Sequence, residues 1–157
     1  MPHKSFKQFE FEHWSNSLIL DSLRLMSSPD ERCLLLFSHL LSSHAMWLCR
    51  LKHTDMNCTL FQERTLDECA LLMKANLEGW RKFLTVKTDH DLETDIEFMS
   101  AWEENPRKRT MRIEDAIIHL INHSSYHRGQ IVARMKGHVA ELPVSTYIMF
   151  ASNLVAS

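Results

Sequence analysis

Apolar residues recur at helical intervals along most of the chain. Over residues 4–26, Phe6, Phe9, Trp14, Leu18 and Leu25 follow such spacing and predict a first helix. It stops before Ser27-Ser28-Pro29. Ser28-Pro29-Asp30-Glu31 reads as a start signal, with Ser28 as the cap, Pro29 in the first helical position and Glu31 completing a capping box. The second helix is expected to run to about Lys52. It is apolar almost all round, with Leu34, Leu35, Leu36, Phe37, Leu40, Leu41, Trp47, Leu48 and Leu51. A helix of that kind is central or lies at a subunit contact. A polar connection spans about 53–64. Thr65-Leu66-Asp67-Glu68 is a second capping box and opens a third helix to about Val86, carrying Leu72, Leu77, Trp80 and Leu84.

The pattern breaks over 88–110. Acidic residues give way to Ile96, Phe98 and Trp102, with turn residues at Glu104-Asn105-Pro106. A short hairpin and an irregular insert both fit. A fourth helix is expected from near Arg112, with Glu114 and Asp115 complementing its positive N-terminus. It should end at Lys136-Gly137, where glycine supplies a C-terminal cap. The tail from Pro143 carries Tyr147, Ile148 and Phe150, placed to fold back onto the helices. Only 3 Gly and 4 Pro occur in 157 residues, which favours an all-α chain. The expectation is one domain over 1–157, a four-helix bundle with the insert before helix four.

Composition narrows the function. The net charge of −2 gives no basic footprint for nucleic acid. Arg107, Lys108, Arg109 and Arg112 read as a solvated turn. No apolar run reaches the ~18 residues of a membrane span, and the first residues lack the apolar core of a secretory signal. Cys33, Cys49, Cys58 and Cys69 form no CxxC pair and read as reduced thiols of a cytoplasmic protein.

The chemistry-bearing stretch is HLINHSSYHRGQI. His119, His123 and His127 lie four residues apart and fall in one stripe beside the apolar face of Ile113, Leu120 and Ile131. Two imidazoles at i and i+4 can grip one ion. The outer pair is separated by ~12 Å of helix axis, so at most two of the three serve one ion. A further ligand must come from another helix, and His39 and His44 on helix two are the candidates. The spacing does not fit a zincin, because Ser124 rather than Glu follows His123. Nor does it fit a di-iron carboxylate bundle, since Glu10-Phe11-Glu12-His13 is the single Glu-x-x-His run. By helical projection Arg128 points away from the histidine stripe toward a salt bridge or packing role, Gly129 suits close helix approach, and Gln130 falls near His123.

The stretch Asn122 to Ile131, NHSSYHRGQI, resembles the His-x-x-x-His-Arg-Gly-Gln signature of the DinB (damage-inducible) superfamily, which includes YfiT-like metal-dependent hydrolases. His13-Trp14-Ser15-Asn16, Ser38-His39 with Trp47 and Arg50-Leu51, and Pro143 with Tyr147-Ile148 resemble its other motifs. Val139 departs from the glycine often found there. The resemblance implies a DinB-like four-helix bundle holding one divalent ion, zinc or nickel, through His39, His123 and His127, with His44 as the alternative third ligand. His119 would sit one turn away. Three protein ligands leave a coordination position open, which is a catalytic arrangement. The absence of a carboxylate base beside a ligand favours activation of a low-molecular-weight thiol for transfer to a small electrophile. The alternatives are a metal-dependent hydrolase activating water, and a non-enzymatic metal- or small-molecule-binding bundle. Gln130, Tyr126 and Trp14 are the candidate catalytic residues, and a homodimer is expected.

Overall fold

The computed structural model describes every residue except Cys58, Ala101 and Ser157, so the expectation for the Cys58 thiol lies outside the described residues. Four long helices carry the architecture: α1 (Phe6–Leu25), α2 (Glu31–Lys52), α3 (Leu66–Thr85) and α5 (Ile113–Met135). A short α4 (Asp89–Leu92) and an antiparallel hairpin, β1 (Asp95–Met99) and β2 (Lys108–Arg112), fill the insert, and α6 (Tyr147–Ala151) lies in the tail. The all-α expectation holds, and the hairpin is the form the insert takes. Ile96 and Phe98 alternate inward along β1 and are buried. They give the hairpin an apolar face to lay on the bundle, which a two-stranded ribbon needs to persist in water.

Helix α2 packs against both α3 and α5, while α1 packs against α3 and α5 from the other side. Helix α2 is covered on further sides by Phe98 of the hairpin against Trp47 and by Leu60 and Phe61 of the following connection against His39, which accounts for its being apolar nearly all round. The thiols of Cys33 and Cys69 are buried and free, as is the half-buried Cys49.

The helix starts are set by local chemistry, with one correction. The cap of α2 is Asp30, not Ser28, and Pro29 precedes the cap. Asp30 Oδ1 accepts from the Arg32 and Cys33 amides at 2.7 and 3.3 Å, while its Oδ2 accepts from Arg134 near the end of α5. A carboxylate serves the amides as well as a hydroxyl would, and it also carries the charge that Arg134 meets. The Thr65–Glu68 capping box forms as expected. Helix α5 stops at Lys136, where Gly137 takes φ +85.

Glycine supplies a second correction. A side chain at Gly129 would meet nothing within 4 Å, so no helix approaches there. The close approach is at Gly79 on α3, where a Cβ would lie 2.5 Å from Leu48 Cδ2 on α2. The tail docks through Tyr147 and Phe150, whose rings lie 5.1 and 5.7 Å from Phe11, while Ile148 points to solvent.

The core is divided along the bundle axis. One apolar layer gathers Phe9, Trp47, Trp80, Phe98, Ile117 and Leu120. The other gathers Ile19, Leu23, Phe37, Leu40, Met73 and Ile131. Between them every long helix contributes polar residues: Glu12 and Asn16 from α1, His39 and His44 from α2, Asn76 from α3, Ser124 and Arg128 from α5, all buried. Buried polar groups are tolerated only when they satisfy one another. The functional site is built in this layer.

Candidate metal centre

Antiparallel packing of α2 and α5 brings His39 opposite His123 and His127. The Nε2 atoms of His39 and His123 are 3.1 Å apart, and those of His127 and His123 are also 3.1 Å apart. The candidate ligand atoms of the three residues all lie within 4.8 Å of one another. Their outer nitrogens fix the tautomers. His39 Nδ1–H donates to the Leu60 carbonyl at 2.9 Å, and His127 Nδ1–H donates to Gln130 Oε1 at 2.7 Å. With its proton on Nδ1, each neutral ring turns an Nε2 lone pair inward.

That arrangement fits a cation. Two inward lone pairs face His123 Nε2, and one proton on that nitrogen could serve only one of them properly. A tetrahedral zinc site with Zn–N of ~2.0–2.1 Å has nitrogen–nitrogen edges of about 3.3 Å, close to the two short edges here. Ligand imidazoles characteristically donate their other N–H to a carbonyl or a carboxylate, and His39 and His127 both hand theirs to an oxygen. His123 Nδ1 is buried without a partner.

Electrostatics favour the neutral form of His123 and His39. Burial, with the neighbouring His127, His39, His119 and His44, pushes the His123 pKa down to about 3. Burial also lowers His39, against the raising effect of its bond to Leu60. A ring that stays deprotonated at neutral pH is ready to bind a cation.

Other candidates fall elsewhere. His44 sends Nε2 to Ser124 Oγ at 2.9 Å and lies 3.3 Å from Glu12 Oε2, so it joins the polar layer rather than the histidine cluster. Although Ser124, His44 and Glu12 sit together, Ser124 is fully buried and both contacts use the same ring nitrogen, so this is not a nucleophile–base–orienter relay. His119 is exposed, with its ring 5.6 Å from that of His123 and 6.1 Å from Trp47. Partial loss of hydration on the side packed against Trp47 and His123, with the Arg50 charge, lowers its pKa even so. Tyr126 is 65% exposed, its ring 5.2 Å from His127. Gln130 holds His127. Trp14 packs on Phe11 and Phe150 under the tail.

Two groups of supporting residues were missed in the sequence. The connection before α3 closes over His39: Leu60 takes its proton, Phe61 stacks on its ring at 4.0 Å and 5°, and Gln62 accepts from Ser38. Arg64 ties the connection down through Ser38 and Ser42, both at 2.7 Å. The one available signal was the apolar pair Leu60-Phe61 inside a polar stretch. The other group is Glu12 with Arg128. Two Arg128 nitrogens meet the two Glu12 oxygens at 2.9 and 2.8 Å, and Arg128 also reaches Asn16 at 3.0 Å. Burial pushes the Glu12 carboxyl up, but hydrogen bonds from His44 and Arg128 and the Arg128 charge outweigh it and hold it low. The salt-bridge reading of Arg128 therefore holds. Its signal was Glu12 itself, a carboxylate in the stripe Phe9, Glu12, Asn16, Ile19.

Fold and site together define a four-helix bundle with a three-histidine set able to hold one metal ion between two facing helices. The sequence model of the DinB family matches residues 1–149. The chain belongs to the DinB family. No curated protein and no solved structure matches it.

Proposed function

We propose that His39, His123 and His127 hold one divalent ion, zinc or nickel, and that the protein is an enzyme activating a low-molecular-weight thiol for transfer to a small electrophile. The observation that carries this reading is the convergence of three imidazoles, two of which, His39 and His127, are oriented from outside by Leu60 and Gln130. Imidazole ligands suit both metals. When bound, such an ion supplies a Lewis-acid site that favours the deprotonated form of a thiol or of water.

The chain's own residues set the rest. Phe61 covers one face of His39, and the exposed Tyr126 ring lies 5.2 Å from that of His127. The preference for a thiol over water rests on the missing base. Glu12, the one buried carboxylate among the described residues, is committed to Arg128 and His44. A thiol needs less help to ionise than water does.

The test is spectroscopic. Adding glutathione, bacillithiol or mycothiol to the cobalt-substituted protein is expected to give a sulfur-to-metal charge-transfer band in the near ultraviolet, lost in His123→Ala. No band with any thiol, together with turnover of esters or amides, would replace this reading with the hydrolase. Failure of both would leave a metal-binding bundle without catalysis. No described helix is long and apolar enough to cross a membrane; the location proposed is the cytoplasm. The proposed homodimer would use helix faces, for which exposed Ile118 and Tyr126 on α5 offer apolar area.

A further inference from the structure

Three arginines on or beside α2, Arg32, Arg50 and Arg64, meet no carboxylate among the described residues. Arg64 is spent on Ser38 and Ser42, Arg32 is exposed at the first turn, and Arg50 is the one held between aromatic rings. Arg24, Arg81, Arg107, Arg109, Arg112, Arg128 and Arg134 each meet a carboxylate within salt-bridge distance. Arg50 meets none among the described residues. Its carbon Cζ lies 4.8 Å from the Trp47 ring centre and 5.4 Å from that of Phe98, and Nη2 makes one long contact of 3.4 Å to the Met99 carbonyl. Two carboxylates of the adjoining hairpin are used elsewhere, Glu97 by Lys108 and Glu103 by Arg107 and Arg109, and the other two, Asp95 and Glu104, make no ion pair with Arg50. An arginine in the last turn of α2 also suits the helix dipole. The dipole alone, however, does not call for two aromatic walls and partial loss of solvent.

The position gives the charge a use. Arg50 follows His39 by eleven residues on α2, nearly a whole number of turns, so both lie on one side of the helix. Trp47 lies under the Arg50 guanidinium, and its ring is 6.1 Å from that of His119, which in turn neighbours His123. Arginine stems lean toward the helix N-terminus, and therefore toward the cluster. A row thus runs from the three histidines past His119 and Trp47 to a guanidinium held by ring faces. Apart from the long Nη2 contact to the Met99 carbonyl, its N–H groups make no hydrogen bond among the described residues, and the guanidinium edge matches a carboxylate with two parallel hydrogen bonds.

We propose that Arg50, walled by Trp47 and Phe98 and assisted by His119, is a carboxylate-binding subsite that orients an elongated anionic substrate with its reacting end at the histidine cluster. The reacting-end part rests on the metal-enzyme reading above; the subsite itself does not need the ion. The substrate class is an elongated organic acid whose carboxylate stands on the order of 10 Å from the reacting group, because eleven residues of helix rise about 16 Å and the arginine stem leans back over part of that length. A substrate without that charge would lose its anchor and bind more weakly.

The test uses the full chain as purified, with succinate as the probe and its uncharged diamide as the control, followed by nuclear magnetic resonance. Succinate, and not the diamide, is expected to shift the Trp47 indole and Arg50 Nε–H signals. Arg50→Gln should weaken succinate binding at least about tenfold, and Arg50→Lys less, because lysine keeps the charge and loses the fork. His123→Ala should retain succinate binding even where it loses metal, which separates the subsite from the metal reading. The proposal is overturned if the diamide shifts the same signals equally, if Arg50→Gln binds as wild type does, or if binding disappears in His123→Ala. If Arg50→Gln does not fold, the lysine variant and the wild-type comparison of the two probes decide.

Discussion

A histidine is defined by where its second nitrogen goes. His39 and His127 spend Nδ1 on oxygen atoms and keep Nε2 for the cluster, whereas His44 spends Nε2 on Ser124. Elemental analysis after dialysis should therefore find no stoichiometric divalent metal in His123→Ala or His127→Ala, and a much larger loss in His39→Ala than in His44→Ala. A reversed order for the last two would move the site to His44. Acid should act through the same rings. His123 has a folded pKa of about 3, below the ~6.5 of a free imidazole, so the unfolded chain takes the proton first. Its contribution to stability is complete above about pH 6.5 and falls as the pH drops toward the folded value. Metal-free wild type should lose more denaturant resistance between about pH 7 and about pH 5 than metal-free His123→Ala does. Equal losses in the two proteins would mean that the ring is solvated.

At the scale of elements, α1 and α5 are joined by the buried Glu12–Arg128 pair. Removing one partner of such a pair leaves an uncompensated charge and costs about 3–5 kcal/mol. Chemical unfolding should show a loss of that size in Glu12→Ala and in Arg128→Met, with the double change Glu12→Leu plus Arg128→Met losing less than either. Glycine distinguishes two helices. Gly129 lies in an exposed stretch of α5 with free space around it, so Gly129→Ala should stabilise by up to about 1 kcal/mol from helix propensity alone. On α3, Gly79→Ala would drive a methyl into buried Leu48, and overpacking of about 1–3 kcal/mol should cancel that gain. Thermal melts of both variants check the contrast.

For the molecule as a whole, the polar layer between two apolar layers places its least favourable burial at the point where a ligand would be bound. An ion that binds only the folded chain adds about 2.7 kcal/mol at one hundred times its dissociation constant. The melting temperature should rise with added zinc or nickel and fall after chelation in wild type, and should stay unchanged in His123→Ala. Light scattering at micromolar concentration is expected to return twice the chain mass for the proposed homodimer. A monomer would leave Ile118 and Tyr126 as ordinary exposed residues.

Much of this was legible in the chain. Periodicity marked four long helices, Thr65 and Gly137 marked a start and a stop, and the i, i+4 pair His123 and His127 marked two ligand positions on one face. These are local properties, set within a turn or two of backbone. Other features were decided only by packing. Asp30 caps α2 by a local bond to the Arg32 and Cys33 amides, and only the fold brings Arg134, 104 residues away, to its second oxygen. Gly79, not Gly129, took the close approach because α3 is the helix that crosses α2 there. The choice between His39 and His44 depended on helix register. Both are buried on a helix apolar nearly all round, so periodicity assigns neither a partner. The antiparallel setting of α2 on α5 turns His39 toward His123 and leaves His44 to Ser124 and Glu12. The connection that closes over His39 left almost no trace in the sequence, because its contribution there is made by the Leu60 carbonyl, which every residue type but its position alone can supply.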